Sequence, residues 1–242
     1  MRVYGIIGYP LGHSFSKKYF EEKFRQLGIE QENTFQNFAI ETMDGLPQVL
    51  STKDLQGFCI TIPHKKNIIP FLTEASPEVE AMGACNCVRI KNGKLYGYNT
   101  DIVGFEKSFV SKLTPERDNA LILGTGGASA AVAFVLKKLG IPYQFVSRCT
   151  PGILSYEQLT KDIIDTHKII INSTPLGMSP NIEDAPPIPY EYLTAAHYLY
   201  DLIYNPAETK FLAEGKEKGA AIENGLQMLV LQAEENWRIW NE

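Results

Sequence analysis

The stretch Leu121-Ile-Leu-Gly-Thr-Gly-Gly-Ala-Ser-Ala-Ala-Val132 constrains this chain more than any other. A short apolar run ends in glycines, and an Ala-rich helical pattern then continues to Gly140. That order specifies a strand, a tight turn and a helix N-terminus. The exposed N–H groups at such a terminus, with the helix dipole behind them, suit a pyrophosphate. Gly124 fits the turn and Gly126 lets the backbone approach phosphate. Ser129 holds the third position of the G-x-G-x-x-G pattern, small enough for close helix–strand packing without being glycine. The plainer alternative is an αβ turn whose glycines serve geometry alone.

The next strand favours the dinucleotide reading. Tyr143-Gln-Phe-Val-Ser-Arg148 reads as the second strand of a βαβ unit, and its end is where such a fold meets the adenosine ribose. A carboxylate there selects NAD. No Asp or Glu occurs between Tyr143 and Tyr156; Ser147 and Arg148 stand there, and a guanidinium pairs with a 2′-phosphate through its planar fork. NADP is therefore the expected cofactor, although a solvated Arg at a strand end is common.

The remaining chain alternates in the same way. Arg2 to Gly8 reads as a strand, Ser16 to Leu27 as a helix, Thr34 to Ile40 and Gly57 to Thr61 as strands, with a short helix at Met43 to Leu50. A helix is predicted to start near Pro63, which suits a first turn. Asn92-Gly93 marks a hairpin between Cys85–Ile90 and Lys94–Tyr98. Asp101 to Leu113 and Asn224 to Trp240 read as amphipathic helices, the second with Leu226, Leu229, Val230, Ala233 and Trp237 on its apolar face. The expected fold is α/β, with two α/β domains. An N-terminal domain would comprise 1–113 plus 222–242, and a C-terminal Rossmann-like dinucleotide-binding domain 114–221.

Composition narrows the function classes. In 242 residues, a net charge of −5 and the lack of any Lys/Arg run offer no field for nucleic acid. The opening Val3-Tyr-Gly-Ile-Ile-Gly8 is stopped by Pro10 and Gly12, too short and broken for a signal or membrane segment, so a cytoplasmic protein is expected. Cysteines at 59, 85, 87 and 149 have no metal-ligand spacing, and reduced thiols with no metal are expected.

Several loop ends carry chemistry-bearing residues. Gly8-Tyr-Pro-Leu-Gly-His-Ser-Phe-Ser16 places two hydroxyls just before a helix, where they can cap it or bind an anion. Gly57-Phe-Cys-Ile-Thr-Ile-Pro-His-Lys65 puts a lysine in what reads as a first helical turn, against the dipole, which hints at function. Gly83-Ala-Cys-Asn86 and Gly97-Tyr-Asn-Thr-Asp101 add an amide and a carboxylate, although Asp101 also suits a helix cap.

Together these stretches resemble the shikimate dehydrogenase family over nearly the whole chain. The resemblance rests on Ser14-x-Ser16, Thr61-Ile-Pro-His-Lys65, Gly83-Ala-x-Asn86, Gly97-x-Asn99-Thr-Asp101 and Gly124-x-Gly-Gly-Ala128. It continues through Asn172-Ser-Thr-Pro-Leu-Gly-Met178, Tyr200-Asp-Leu-Ile-Tyr-Asn-Pro206 and Asn224-Gly-Leu-x-Met-Leu-Val-x-Gln232. Cys59 departs from the family's usual Asn, and Cys85 and Cys87 from its usual Val and Thr.

The resemblance implies NADPH-dependent reduction of 3-dehydroshikimate to shikimate, on the chorismate route to aromatic amino acids. It implies catalytic Lys65 and Asp101, and substrate contacts from Ser14, Ser16, Thr61, Asn86, Asp101, Tyr204 and Gln232. For the cofactor it implies Gly124, Thr125, Gly126, Gly127, Ala128, Ser147, Arg148, Leu202 and Gly225. The expected partner is the small-molecule substrate, with no nucleic acid or membrane, and a monomer or homodimer. Two alternatives stay open: an NAD-using quinate/shikimate dehydrogenase, which Arg148 opposes, and a non-catalytic nicotinamide-binding regulatory module, which would have no use for both Lys65 and Asp101.

Overall fold

The computed structural model describes residues 1–12, 15–148 and 150–242, and the chain divides into two compact units, Met1–Asp101 with Gln232–Glu242 and Ile102–Leu231. The first unit runs β1 (Arg2–Gly8), α1 (Phe15–Leu27), β2 (Asn33–Ala39), α2 (Leu46–Leu50), β3 (Leu55–Ile60), β4 (Glu74–Ala75), α3 (Pro77–Met82), β5 (Cys87–Lys91) and β6 (Lys94–Tyr98). Its six-stranded sheet has the order β2-β1-β3-β5-β6-β4. Strands β2, β1 and β3 are parallel, while β5 is antiparallel to both β3 and β6. Asn92 and Gly93 join β5 to β6 with φ of 54° and 73°, the doubly positive turn that matches strand twist.

The second unit takes up helix α4 (Asp101–Phe109) from its second residue. It continues through β7 (Ala120–Leu123), α5 (Gly127–Lys138), β8 (Tyr143–Val146), α6 (Lys161–Thr166), β9 (Ile169–Asn172), β10 (Tyr198–Asp201), α7 (Lys210–Glu217) and β11 (Ala221–Glu223). It ends within α8 (Leu226–Trp240), whose later turns belong to the first unit. Its five strands are all parallel, in the order β11-β10-β9-β7-β8. Every residue of β7, β9 and β10 is buried, as expected of parallel strands covered on both faces.

Both sheets contain the same device. The first parallel strand of each lies between the second and the third, so the chain leaves it in opposite directions on its two sides. A crevice opens at such a switch point, beyond the carboxyl ends of the two central strands. In the first unit that point lies past β1 and β3, in the second past β7 and β9.

Two features depart from the sequence expectations. No α-helix starts at Pro63; residues 62–68 form successive turns, with His64 N–H bonded to the Thr61 carbonyl and Ile68 N–H to that of His64. The chain tightens instead into a 3₁₀ turn at Ile69–Phe71, where the Ile69 N–H takes the Lys66 carbonyl at 3.2 Å that Pro70, lacking an N–H, cannot serve. On α8, Leu226 is 45% exposed, and the residues buried in the first unit are Ala233, Asn236, Ile239 and Trp240. The two compact units adjoin along the chain between Asp101 and Ile102 and between Leu231 and Gln232. Helix α4 sits with the second unit because Phe105 packs edge-on against Tyr200, and Phe109 stacks on Tyr198 with centroids 5.5 Å apart. No helix among the described residues is long and apolar enough to cross a membrane.

Candidate active site

In the first unit, the loops at the switch point carry the expected polar groups. Thr61 directly follows β3, tied to β1 by its N–H on the Ile7 carbonyl at 2.9 Å. The turn beyond it brings Lys65 Nζ to 2.6 Å from Asp101 Oδ2, the two side chains being 29% and 15% exposed. The Lys65 carbonyl accepts the Cys85 N–H at 2.8 Å, which anchors the base of this turn beside Asn86. An ammonium and a carboxylate are thus held together with part of the surface of each still open to a ligand.

Asn86 is buried and fully oriented. Its Oδ1 accepts the Thr100 N–H at 2.6 Å, and its Nδ2 donates to Gln232 Oε1 at 3.2 Å. Asn99 braces the same loop by donating to the Ala84 carbonyl at 2.9 Å. Ser16, in the first turn of α1, is buried, and the Cys59 thiol receives Asn236 Nδ2 at 3.2 Å. Burial pushes the thiols of Cys59 and Cys85 up to about 12, so both stay protonated. Ser14 lies outside the described residues.

The second unit presents a different kind of site. Gly124 follows β7 with φ +98°, and a side chain there would meet Thr174 Cγ2 at 2.9 Å. Gly126 caps α5 without any side-chain hydrogen bond, and Thr125, Gly126, Gly127 and Ala128 are all exposed. A Cβ built on Gly126 or Gly127 would meet no atom within 4 Å. Ser129 is buried and turns its hydroxyl back onto the Gly126 carbonyl at 2.6 Å. Open space, uncapped N–H groups and a helix dipole fit the diphosphate of a dinucleotide.

At the end of β8, the Ser147 hydroxyl lies 2.8 Å from that of Thr150, and Arg148 is exposed with no ion pair among the described residues. This hydroxyl pair and a free guanidinium suit a ribose phosphate. Leu202 follows β10 and Tyr204 lies two residues on, 38% exposed. Gly225 is needed for contact within the unit, since a Cβ there would fall 2.1 Å from the Leu202 carbonyl. Leu202 and Gly225 are therefore brought together, backbone against backbone.

Three residues that the sequence reading missed hold these loops. Asp201, fully buried at the end of β10, accepts from Thr209 Oγ1 at 2.6 Å, Ile203 N–H at 3.0 Å and Asn172 Nδ2 at 3.0 Å. Desolvation raises its carboxyl to about 6 in spite of those donors. Thr100 and Asn236 meet at 2.7 Å in the first unit. Asn236 left a readable trace: a polar residue at helical spacing between Ala233 and Trp240, on what becomes the buried face.

Residues 6–88 match the family described as Shikimate dehydrogenase substrate binding domain. The chain is 37% identical over 250 residues to the shikimate dehydrogenase (NADP(+)) of Staphylococcus aureus strain Newman, covering 98% of this chain and 91% of that protein. It superposes on shikimate dehydrogenase from Aquifex aeolicus with a TM-score of 0.87 and 34% identity, over 99% of this chain and 92% of the other. Shikimate 5-dehydrogenase from Thermus thermophilus, solved with NADP(H) and shikimate, matches with a TM-score of 0.85 and 30% identity, over 99% and 93%.

Proposed function

The chain belongs to the shikimate dehydrogenase family, and from that premise we propose that it catalyses the reversible NADPH-dependent reduction of 3-dehydroshikimate to shikimate. The observation that carries this reading is the Lys65–Asp101 pair at 2.6 Å beside the switch point of the first sheet. When bound, NADPH supplies the hydride. As the carbonyl carbon is reduced its oxygen gains negative charge and then a proton. The Lys65 ammonium stabilises that charge and gives up the proton, while Asp101 orients Lys65 and contacts the ring.

The substrate carboxylate is held by Ser14 and Ser16, whose hydroxyls donate without a tight ion pair. Thr61, Asn86, Tyr204 and Gln232 address the ring hydroxyls, where fixed donors and acceptors read stereochemistry. The loop from Gly124 to Ala128 holds the diphosphate on its open N–H groups. Ser147 and Arg148 hold the 2′-phosphate, and Leu202 and Gly225 line the nicotinamide. In this division of labour, 1–113 plus 222–242 serves the substrate and 114–221 the cofactor. A cytoplasmic location and a monomer or homodimer accompany the reading.

The test follows NADPH absorbance while shikimate with NADP+, and separately quinate with NAD+, are supplied to the purified protein. Rapid NADPH formation from the first pair, and little NADH from the second, is the expected outcome. A preference for quinate with NAD+, or no turnover with either, would overturn the assignment.

A further inference from the structure

Beneath the substrate-facing residues of the first unit runs a buried chain of polar side chains. Asn236, 1% exposed on the last helix, accepts the Thr100 hydroxyl at 2.7 Å and donates to Cys59 Sγ at 3.2 Å. The Thr100 hydroxyl also lies 3.2 Å from Asn86 Oδ1, but its single proton serves the shorter bond to Asn236. The Thr100 backbone N–H can only donate, so it fixes the oxygen end of Asn86. The nitrogen end must then face Gln232 and claim its Oε1, leaving the Gln232 amide to face outward as a donor. Thr100 also leads directly into Asp101, the partner of Lys65.

We propose that Asn236 is a positioning residue for the substrate site, holding Thr100 on one side and Cys59 on the other. By holding Thr100 in place it keeps in position the backbone N–H that orients Asn86 and, through Asn86, Gln232. An apolar residue would satisfy the packing between Ala233 and Trp240 equally well, so its polarity here serves orientation. The substrate roles of Asn86 and Gln232 come from the proposed dehydrogenase activity, and the inference rests on that reading.

The experiment uses Asn236→Leu, Thr100→Val, Thr100→Ser and the Asn236→Leu/Thr100→Val double variant of the full chain. For Asn236→Leu, the expected change in kcat/KM for shikimate is a drop of about ten- to a hundredfold, the scale for a small displacement of reacting groups. The KM for NADP+ should stay within about twofold of wild type, since the cofactor loops lie in the other unit. Thr100→Ser keeps the hydroxyl and should restore near-normal kinetics. Thr100→Val should reproduce the part of that loss that runs through Thr100, and the double variant should be no worse than Asn236→Leu alone, because both substitutions remove one shared bond.

Unchanged shikimate kinetics in Asn236→Leu, an equal loss in NADP+ affinity, or additive losses in the double variant would overturn the proposal. Should Asn236→Leu fail to fold, the contrast between Thr100→Val and Thr100→Ser decides alone. Wild-type protein inactive on shikimate would instead remove the dehydrogenase reading. In that case the side-chain amide NMR signals of Asn86 and Gln232 still test the relay. They should shift in Thr100→Val and not in Thr100→Ser, and their constancy in both would overturn it.

Discussion

The two switch points share a topology and differ in what they are made of. Past β1 and β3 the proposed working groups are side chains oriented by hydrogen bonds to their neighbours: Lys65 to Asp101, Asn86 to the Thr100 N–H and to Gln232. Past β7, β8 and β9 the proposed working groups are backbone N–H donors and one exposed arginine, and the side chains bonded nearby brace only the loops. The difference follows from the ligands. A diphosphate needs several donors and close backbone approach, which glycine supplies, whereas a chiral polyol is read by groups of fixed orientation and must be reacted upon at one carbon. Damage to the first region should therefore appear in turnover and shikimate affinity, and damage to the second in cofactor affinity.

The largest effect is expected at Lys65. Lys65→Ala should lower kcat by about 10²–10⁴-fold while changing shikimate affinity much less, since its main interaction grows in the transition state. Steady-state and single-turnover rates check this, and near-normal turnover would remove Lys65 from the chemistry. Next comes Arg148→Asp, which sets a carboxylate against the 2′-phosphate. The NADP+/NAD+ preference in kcat/KM should fall by about ten- to a hundredfold, and an unchanged ratio would cancel the phosphate assignment.

The contrast between regions is sharpest at the glycines. Gly126 has an ordinary extended φ of −78° and open space around its Cβ position, so Gly126→Ala should melt like wild type yet raise the KM for NADP+ by about tenfold. Gly124→Ala must instead adopt φ +98° against Thr174, and should lose about 1–3 kcal/mol of stability as well. If both variants merely destabilise, the loop serves the fold alone. Ser16→Ala should raise the shikimate KM by the worth of one charge-assisted hydrogen bond, about 1–3 kcal/mol, with the KM for NADP+ unaltered.

The smallest effect on catalysis is expected at Asp201, whose signature is stability against pH. Burial raises its carboxyl from 3.8 to about 6, so the folded chain holds this proton more tightly than the unfolded one. The resulting stabilisation is fully present below pH 3.8 and is lost as pH rises through about 6, a span worth roughly 3 kcal/mol. Urea melts between pH 4 and 7 should show this decline in wild type and a flatter profile in Asp201→Asn. Parallel profiles for the two proteins would mean that Asp201 does not carry the slope.

Local patterns in the chain determined the order of strands and helices, the hairpin at Asn92-Gly93 and the glycine turn after Leu123, because each rests on near-neighbour sterics and hydrogen bonds. They also marked Lys65 and Asp101 as out of the ordinary, though not as partners. Only the tertiary structure decided that the two meet, across a separation of 36 residues, at the end of a strand and the start of a helix. It also decided that no α-helix forms at Pro63, because the Lys65 carbonyl is taken by the distant Cys85 N–H at 2.8 Å and is lost to the helical ladder. The burial of Asn236 and Asp201 was equally beyond local reading. A polar residue is tolerated inside only when donors from distant segments converge on it, and here those donors come from Thr100 for the one and from Asn172, Ile203 and Thr209 for the other.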